Sequence, residues 1–474
     1  MPTPVLSVAQ MRAWENASWQ AGRTEAEVIH EVGLAIARRA LELTAPGQGI
    51  LLLAGKGHNG DDARAACEHI LDRRVDLLQV TAPADDLAEL QAALRQNPAL
   101  IVDGLFGIGL NRPLDDDWQK FLACVDASGV PVLAVDVPSG LNADTGETFG
   151  TAIAAAVTLT VGAPKRGMLA PGAERLVGRL EVADAVGLVP CTETSDLHWT
   201  LPADFHRFPP ARAAASHKGS YGHLAIIAGS LGFHGAAVLA TRGAQRAQPG
   251  LISLFTPENA YHAIAPQVQS AMLKLWNAAE KFATDYTAVL VGPGLAAADL
   301  PGDMKLTVRK VWRDSLLPVI VDASALDWLP LDPVPKNTIR VITPHPGEAA
   351  RLLKCSVAQI QANRPHAVRE ISRRFGSCWV VLKGHQTLIG RDTGDIFVNS
   401  SGNPQLAQGG SGDLLAGYLA GLLAQPQLQA TAATAMRFGV WQHGAAADAL
   451  QARRRNWIIE DLAAEIGSAV GTSP

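Results

Sequence analysis

A chain of 474 residues with 48% hydrophobic and 18% charged side chains has length for more than one buried core and is too apolar to stay disordered. Its formal net charge of -5 leaves no basic footprint, which excludes nucleic acid as the main partner. The five cysteines (Cys67, Cys124, Cys191, Cys355, Cys378) include no C-x-x-C pair, which argues against a zinc site or a disulfide framework and fits a reducing, cytoplasmic setting.

Residues 1–20 hold Trp14, Glu15 and Trp19 and no apolar stretch flanked by positive charge, so they do not read as a signal peptide. No apolar run reaches bilayer length, and no membrane association is expected. From there short apolar runs alternate with helix-compatible stretches. Strands are predicted at 49–53, 75–80, 100–102, 130–135 and 156–161, then at 223–227, 251–255, 288–291, 318–321, 340–343, 379–382 and 387–389. Their continuous Val, Ile and Leu suit parallel strands buried on both faces, hence an α/β class with helices covering the sheets. Two polar, Pro-containing stretches, 190–196 and 208–212, break the pattern and place a domain boundary between 200 and 215.

Three strand ends in the first half carry candidate chemistry. Gly55-Lys56-Gly57-His58-Asn59-Gly60-Asp61-Asp62 precedes a helix predicted over 63–73. Asp103-Gly104-Leu105-Phe106-Gly107-Ile108-Gly109 and Asp136-Val137-Pro138-Ser139-Gly140 are the other two. In open α/β sheets ligands bind at such ends. Asn59, Asp103 and Ser139 each offer a hard oxygen, a trio suited to a monovalent or divalent cation. Each reads equally well as a helix cap or turn closer.

In these motifs the first half resembles the YjeF N-terminal domain, the NAD(P)H-hydrate epimerase family. Its hallmarks are a Gly-x-Gly-Asn-Asn-Gly-Gly-Asp-Gly turn, an Asp-x-Leu-Phe-Gly-x-Gly strand end and an Asp-x-Pro-Ser-Gly strand end. The resemblance implies a Rossmann-like three-layer α/β/α domain over residues 1–205. It implies a potassium ion on Asn59, Asp103 and Ser139. It implies that hydrated nucleotide is held by His58, Asn59, Gly60, Asp61, Asp62, by Gly107, Ile108, Gly109, Leu110, Asn111, Arg112 and Pro113, and by Asp136, which is also the catalytic residue. The turn departs from the family at His58 (Asn), Asp61 (Gly) and Ala63 (Gly). Asp61 is expected to repel a phosphate-bearing ligand and Ala63 to crowd the helix start, both acting against binding.

The second half carries a longer series: Lys218-Gly219-Ser220-Tyr221-Gly222, Gly229 to Ala237, Gly292-Pro293-Gly294, Asp322-Ala323-Ser324-Ala325-Leu326, Thr343-Pro344-His345-Pro346-Gly347-Glu348, Lys383-Gly384-His385-Gln386-Thr387, and Gly409-Gly410-Ser411-Gly412-Asp413. In the last run the glycines allow a tight turn and close backbone approach, and the helix that follows offers free N–H groups to an anion. Asp413 reads either as an N-cap or as a base beside a bound phosphate.

In this order the motifs resemble the YjeF C-terminal, ribokinase-like family of ADP-dependent NAD(P)H-hydrate dehydratases. The resemblance implies a ribokinase-like α/β/α domain over 206–474. Lys383, Gly384, His385, Gln386, Thr387 and Gly412 would hold ADP with magnesium. Ala236, Gly294, His345 and Asp413 would line the hydrated-nicotinamide site, with Asp413 catalytic. Ser324 stands where the family reads Asp, and His385-Gln386 where it reads Ala-Gly. The first is expected to alter how magnesium and phosphate are steadied, the second to crowd the nucleotide loop. The implied partners are NADHX, NADPHX and ADP, in a cytoplasmic homo-oligomer. Two other readings stay open: a ribokinase-like kinase for a small alcohol with a non-catalytic nucleotide-binding first half, and a nucleotide sensor.

Overall fold

The structure, a computed structural model, describes residues 2–468 and divides into two compact units, Thr3–Trp199 and Thr200 onward. In the first unit β1 (Thr3–Pro4) leads into helices Val8–Gln20 and Glu25–Leu43. Both helices open on capping boxes, Ser7 with Gln10 and Thr24 with Glu27, which satisfy N–H groups that a helix start leaves free. Then come β2 (Gly49–Ala54), β3 (Arg74–Gln79), β4 (Leu100–Gly104), β5 (Val132–Val135), β6 (Val157–Val161), β7 (Arg179–Ala183) and β8 (Leu197–Trp199), the last pairing antiparallel with β1. The main sheet is parallel throughout, in the order β3-β2-β4-β5-β6-β7.

Alternation along the strands builds two cores. Ile50, Leu52, Val102, Leu133 and Val135 pack with Val32 and Ile36 on one face, and Leu51, Leu53, Ile101 and Val132 with Leu90, Phe121 and Val125 on the other. The three-layer arrangement is therefore present. The helix expected over 63–73 is a correction: it spans His58–Cys67. Gly57 ends the extended chain, and Gly60 folds so close to the Gly55 carbonyl that a Cβ would collide with it. The candidate turn is thus itself the first turn of the helix. Asp72, at φ +60°, then swings the chain into β3.

The second unit is a mixed sheet of β9 (His223–Ile227), β10 (Leu251–Thr256), β11 (Met272–Leu275), β12 (Ala288–Val291), β13 (Val319–Val321), β14 (Arg340–Ile342), β15 (Trp379–Leu382), β16 (Leu388–Gly390) and β17 (Ile396–Val398). They run in the order β17-β16-β15-β14-β13-β12-β9-β10-β11, antiparallel only at β15-β16-β17. Helices 234–247 and 411–423 cross backbone to backbone. A Cβ on Gly417 would strike the Ala240 carbonyl, and one on Gly243 the Leu414 carbonyl. That contact fixes the start of helix Ser411–Leu423 beside the strand ends.

Candidate active sites

In the first unit the ends of β2, β4 and β5 converge, and the helix His58–Cys67 starts among them. The Ser139 hydroxyl donates to Asp103 Oδ1 at 2.6 Å and its amide to Oδ2 at 2.9 Å, while Asp103 is fully buried. Asn59 Nδ2 donates to the carbonyls of Phe106 (3.0 Å) and Val135 (2.7 Å). Asn59, Asp103 and Ser139 are thus brought together with two backbone carbonyls, an oxygen-rich set that suits a hard monovalent cation. Burial pushes the Asp103 carboxyl up to about 6, opposed by the hydrogen bonds from Ser139 and Leu105.

The loop 107–113 closes over this cluster: a Cβ on Gly107 would lie 2.5 Å from Asn59 Oδ1. A cleft of about 640 Å³ opens here, lined by Glu15, His58, Asn59, Asp62, residues 105–110, Arg112 and Asp136 among others. Asp136 ends β5 at φ +61°, and three donors converge on its Oδ1: the buried Lys165 ammonium, the Thr160 hydroxyl (3.2 Å) and the Val161 amide (3.1 Å). Lys165 and Glu15 were not legible in the motifs, because they reach the cleft from elements far away in sequence.

Each of the two departures expected to weaken the site meets a neighbour in the structure. Asp61 forms an ion pair with Arg64 at 2.6 Å, one helical turn on, so its charge does not face a ligand uncompensated. Ala63 is fully buried against Gly104, where an added Cβ would come within 2.6 Å of the Ala63 Cβ. The methyl that Ala63 adds occupies room that Gly104 leaves.

In the second unit the Gly229–Gly235 loop and the Gly292-Pro293-Gly294 loop follow the neighbouring strands β9 and β12 and are stitched together. Ser230 Oγ donates to Gly294 O at 2.6 Å, and Gly229 N to Pro293 O at 2.8 Å. A Cβ on Gly294, at φ +68°, would stand 2.4 Å from the Phe233 carbonyl oxygen and 3.0 Å from the Ala236 Cβ, so Ala236 and Gly294 form one close-packed wall.

Around the end of β13 a charge cluster gathers. Lys383 Nζ donates to Asp322 Oδ1 at 2.7 Å and lies 3.8 Å from Glu348 Oε2. A Cβ on Gly412 would stand 3.2 Å from Lys383 Nζ and 3.9 Å from Asp322 Oδ2. Asp413 is the next residue. It is not an N-cap: Gly410, at φ +94°, occupies that position and Asp413 lies inside the first turn. Burial, with Asp322 adding repulsion, pushes its carboxyl up to about 7, despite Lys383 and with a further push from Glu348. Burial alone would pull the Lys383 ammonium down, but Asp322, Glu348 and Asp413 hold it above its ordinary value.

His345 caps the helix Pro346–Leu353 with Nδ1 accepting from the amides of Gly347 (3.0 Å) and Glu348 (3.4 Å). That bonding leaves the proton on Nε2, which faces Glu348 Oε1 at 3.6 Å. The 383–387 loop is gripped by Arg364, whose guanidinium donates to the carbonyls of Leu382, His385 and Gln386, while the Thr387 hydroxyl donates to Gly384 O at 3.0 Å. His385 is exposed, away from the buried cluster. Asp322 and Glu348 lie inside motifs read from the sequence but were given no role there, and Arg364 was not singled out. Asp322 had a signal, a carboxylate directly after an apolar strand, whereas Arg364 sits in an ordinary helix.

A family model described as NAD(P)H-hydrate dehydratase matches residues 224–470, and one described as YjeF-related protein N-terminus matches residues 78–167. The bifunctional NAD(P)H-hydrate repair enzyme Nnr of Coxiella burnetii is 34% identical over 96% of this chain and 96% of its own. That of Escherichia coli K12 is 33% identical over 87% and 83%. Among solved structures, the ADP/ATP-dependent NAD(P)H-hydrate dehydratase from Bacillus subtilis, co-crystallised with ATP and Mg2+, is 32% identical at a TM-score of 0.49, covering 55% of this chain and 92% of that one. A ribokinase-like superfamily protein from Enterococcus faecalis gives a TM-score of 0.50 at 22% identity over 60% and 98%, a likeness of fold.

Proposed function

This chain belongs to the bifunctional NAD(P)H-hydrate repair enzymes, and from that premise we propose how its residues divide the work. It is an NAD(P)H-hydrate dehydratase and epimerase. The observation that carries the dehydratase assignment is Asp413, buried at a helix start beside Lys383 and held near neutrality.

The substrate carries a hydroxyl at C6 of the reduced nicotinamide ring, and hydroxide is a poor leaving group. Asp413 takes the hydroxyl proton as the oxygen attacks the terminal phosphoryl of ADP. Lys383 meets the phosphates as a point charge, and the N–H groups at the start of helix Ser411–Leu423 stabilise the transferring group. Phosphate then leaves with its electron pair, the C5 proton is lost, and NAD(P)H, AMP and phosphate result. Ala236, Gly294 and His345 shape the ring site, and residues 383–387 with Gly412 hold the nucleotide. No group of three or more His, Cys, Asp or Glu suited to a metal occurs among the described residues. Magnesium, carried with the nucleotide phosphates, would offset their charge during transfer.

In the first unit Asn59, Asp103 and Ser139 would hold potassium, which would supply fixed positive charge there. Residues 58–62 and 107–113 with Asp136 hold the hydrated nucleotide. The epimerase returns to the dehydratase the C6 epimer that it cannot use.

The test is recovery of NADH absorbance from a mixture of both C6 epimers with ADP and magnesium, with and without potassium. Full recovery faster than spontaneous epimerisation, slowed when potassium is omitted, is expected. No recovery, with a phosphate ester accumulating from a small alcohol instead, identifies the kinase reading.

A further inference from the structure

Inverting the configuration at C6 requires a bond at that carbon to break and re-form, and so a proton donor and a proton acceptor. The cleft of the first unit holds four carboxyl groups: Glu15, Glu25, Asp62 and Asp136. Glu25 is exposed at the start of its helix. Asp136 is a committed acceptor, with three donors on one oxygen. Asp61, beside the cleft, is taken by Arg64. That leaves Asp62 on helix His58–Cys67 and Glu15 on helix Val8–Gln20. Neither side chain makes a hydrogen bond or ion pair with the described residues, yet Asp62 is only 7% exposed. A buried carboxyl without a partner costs free energy, and one that faces a ligand cleft is a group held for use.

We propose that Asp62 and Glu15 are the proton-carrying pair of the epimerase, serving opposite faces of C6 and exchanging roles with each turnover. The proposal rests on the reading that this cleft takes hydrated NAD(P)H. Asp62 gives its proton to the C6 hydroxyl, the C6–O bond breaks with the electron pair leaving on oxygen as water, and the N1 lone pair forms an N1=C6 double bond. Asp136, already paired with Lys165, lines the same cleft. A water then adds to the other face of C6, its proton passes to Glu15, and the electron pair of the double bond returns to N1. One water leaves and one enters, nothing is oxidised, and the C5 hydrogens stay in place. Asp62 ends deprotonated and Glu15 protonated, the state from which the reverse inversion begins.

The environment favours this assignment. Burial, with Asp136 and then Asp61 and Glu15 adding repulsion, pushes Asp62 up to about 8, so it holds its proton at neutral pH. Burial and then Asp136 hold the Glu15 carboxyl above its ordinary value, opposed by Lys165, His58 and Arg12.

The experiment uses the full-length protein without ADP, so that dehydration is silent, and one pure C6 epimer of NADHX in ¹⁸O-labelled water. Each catalysed inversion should place one ¹⁸O on C6, and in D2O no deuterium should appear at C5. Asp62→Asn and Glu15→Gln should each slow inversion by roughly 100-fold or more with KM little changed. Both should melt no lower than wild type: Asp62→Asn replaces one buried neutral side chain by another of similar size and ends the desolvation penalty on a carboxyl, and Glu15→Gln removes a carboxylate beside Asp136. ADP-dependent dehydration of the other epimer should continue. Inversion without label would show that the ring opens at N1–C6 instead and would overturn the proposal, as would wild-type inversion by either variant. If the wild-type protein gives no catalysed inversion at all, the reading of the cleft itself falls.

Discussion

Asp413 occupies a position where a carboxylate is ordinarily stabilised. The first turn of a helix offers unpaired N–H groups and the positive end of a dipole, which favour the charged form. Here burial and two neighbouring carboxylates outweigh that, and the group sits at about 7. A base works deprotonated, so dehydration should rise with pH up to about 7 and level off above it. Asp413→Asn should keep ADP binding and lose roughly 10²- to 10⁴-fold in kcat, the usual worth of a general base. Asp322→Asn makes a sharper test of the electrostatics. Asp322 raises Asp413, so its removal should move the limb of the kcat profile to lower pH. It also frees Lys383 from its 2.7 Å pairing, which pushes in the same direction. A limb that stays in place would mean that another group titrates there.

At the scale of elements, what was legible in the sequence is what burial on both faces demands. Strands such as His223–Ile227, Ala288–Val291 and Trp379–Leu382 stand out as unbroken apolar runs because helices cover them on both sides. The edge strands Arg179–Ala183 and Met272–Leu275, and the three-residue strand Ile396–Val398, were missed, being short or mixed in polarity. The site motifs were legible because glycine spacing is local. Their supports were not, because Lys165 beneath Asp136 and Arg364 behind the 383–387 loop come from distant segments. The Ala63–Gly104 contact belongs here too, since only the packing of helix on strand reveals it. Gly104→Ala should destabilise the first unit by roughly 1–3 kcal/mol, as overpacking does. Its Cβ would press on Ala63 Cβ at 2.6 Å and on the Asn59 carbonyl at 2.7 Å. Ala63→Gly relieves only the first of these. The double variant should therefore recover part of the loss, a coupling that thermal melts of the four proteins would measure. Strict additivity would mean that the two positions do not share the space.

At the scale of the whole molecule, each unit closes its own core around its own site. The sheet whose strand ends carry Asp103 and Asp136 is covered by helices of the first unit, and the sheet whose strand ends carry Asp322 and Lys383 by helices of the second. Each site is built from named residues of its own unit, so each reaction should run wherever its unit is intact. The two activities then share only a diffusing small molecule. The prediction concerns two full-length variants: Asp413→Asn, which keeps the epimerase, and Asp136→Asn, which keeps the dehydratase. The latter retains an acceptor for Thr160 and Val161 beside the buried Lys165, so its fold should be checked by circular dichroism. Given both C6 epimers, ADP, magnesium and potassium, Asp413→Asn alone should restore almost no NADH absorbance. Asp136→Asn alone should give a fast phase that stops at the usable epimer, then a slow phase at the spontaneous rate. Mixed in equal amounts, the two should restore absorbance completely, because substrate inverted on one molecule reaches the dehydratase of another. If the mixture stalls where Asp136→Asn stalls alone, the epimer does not leave the chain that inverts it, and the two units are coupled more tightly than separate cores require.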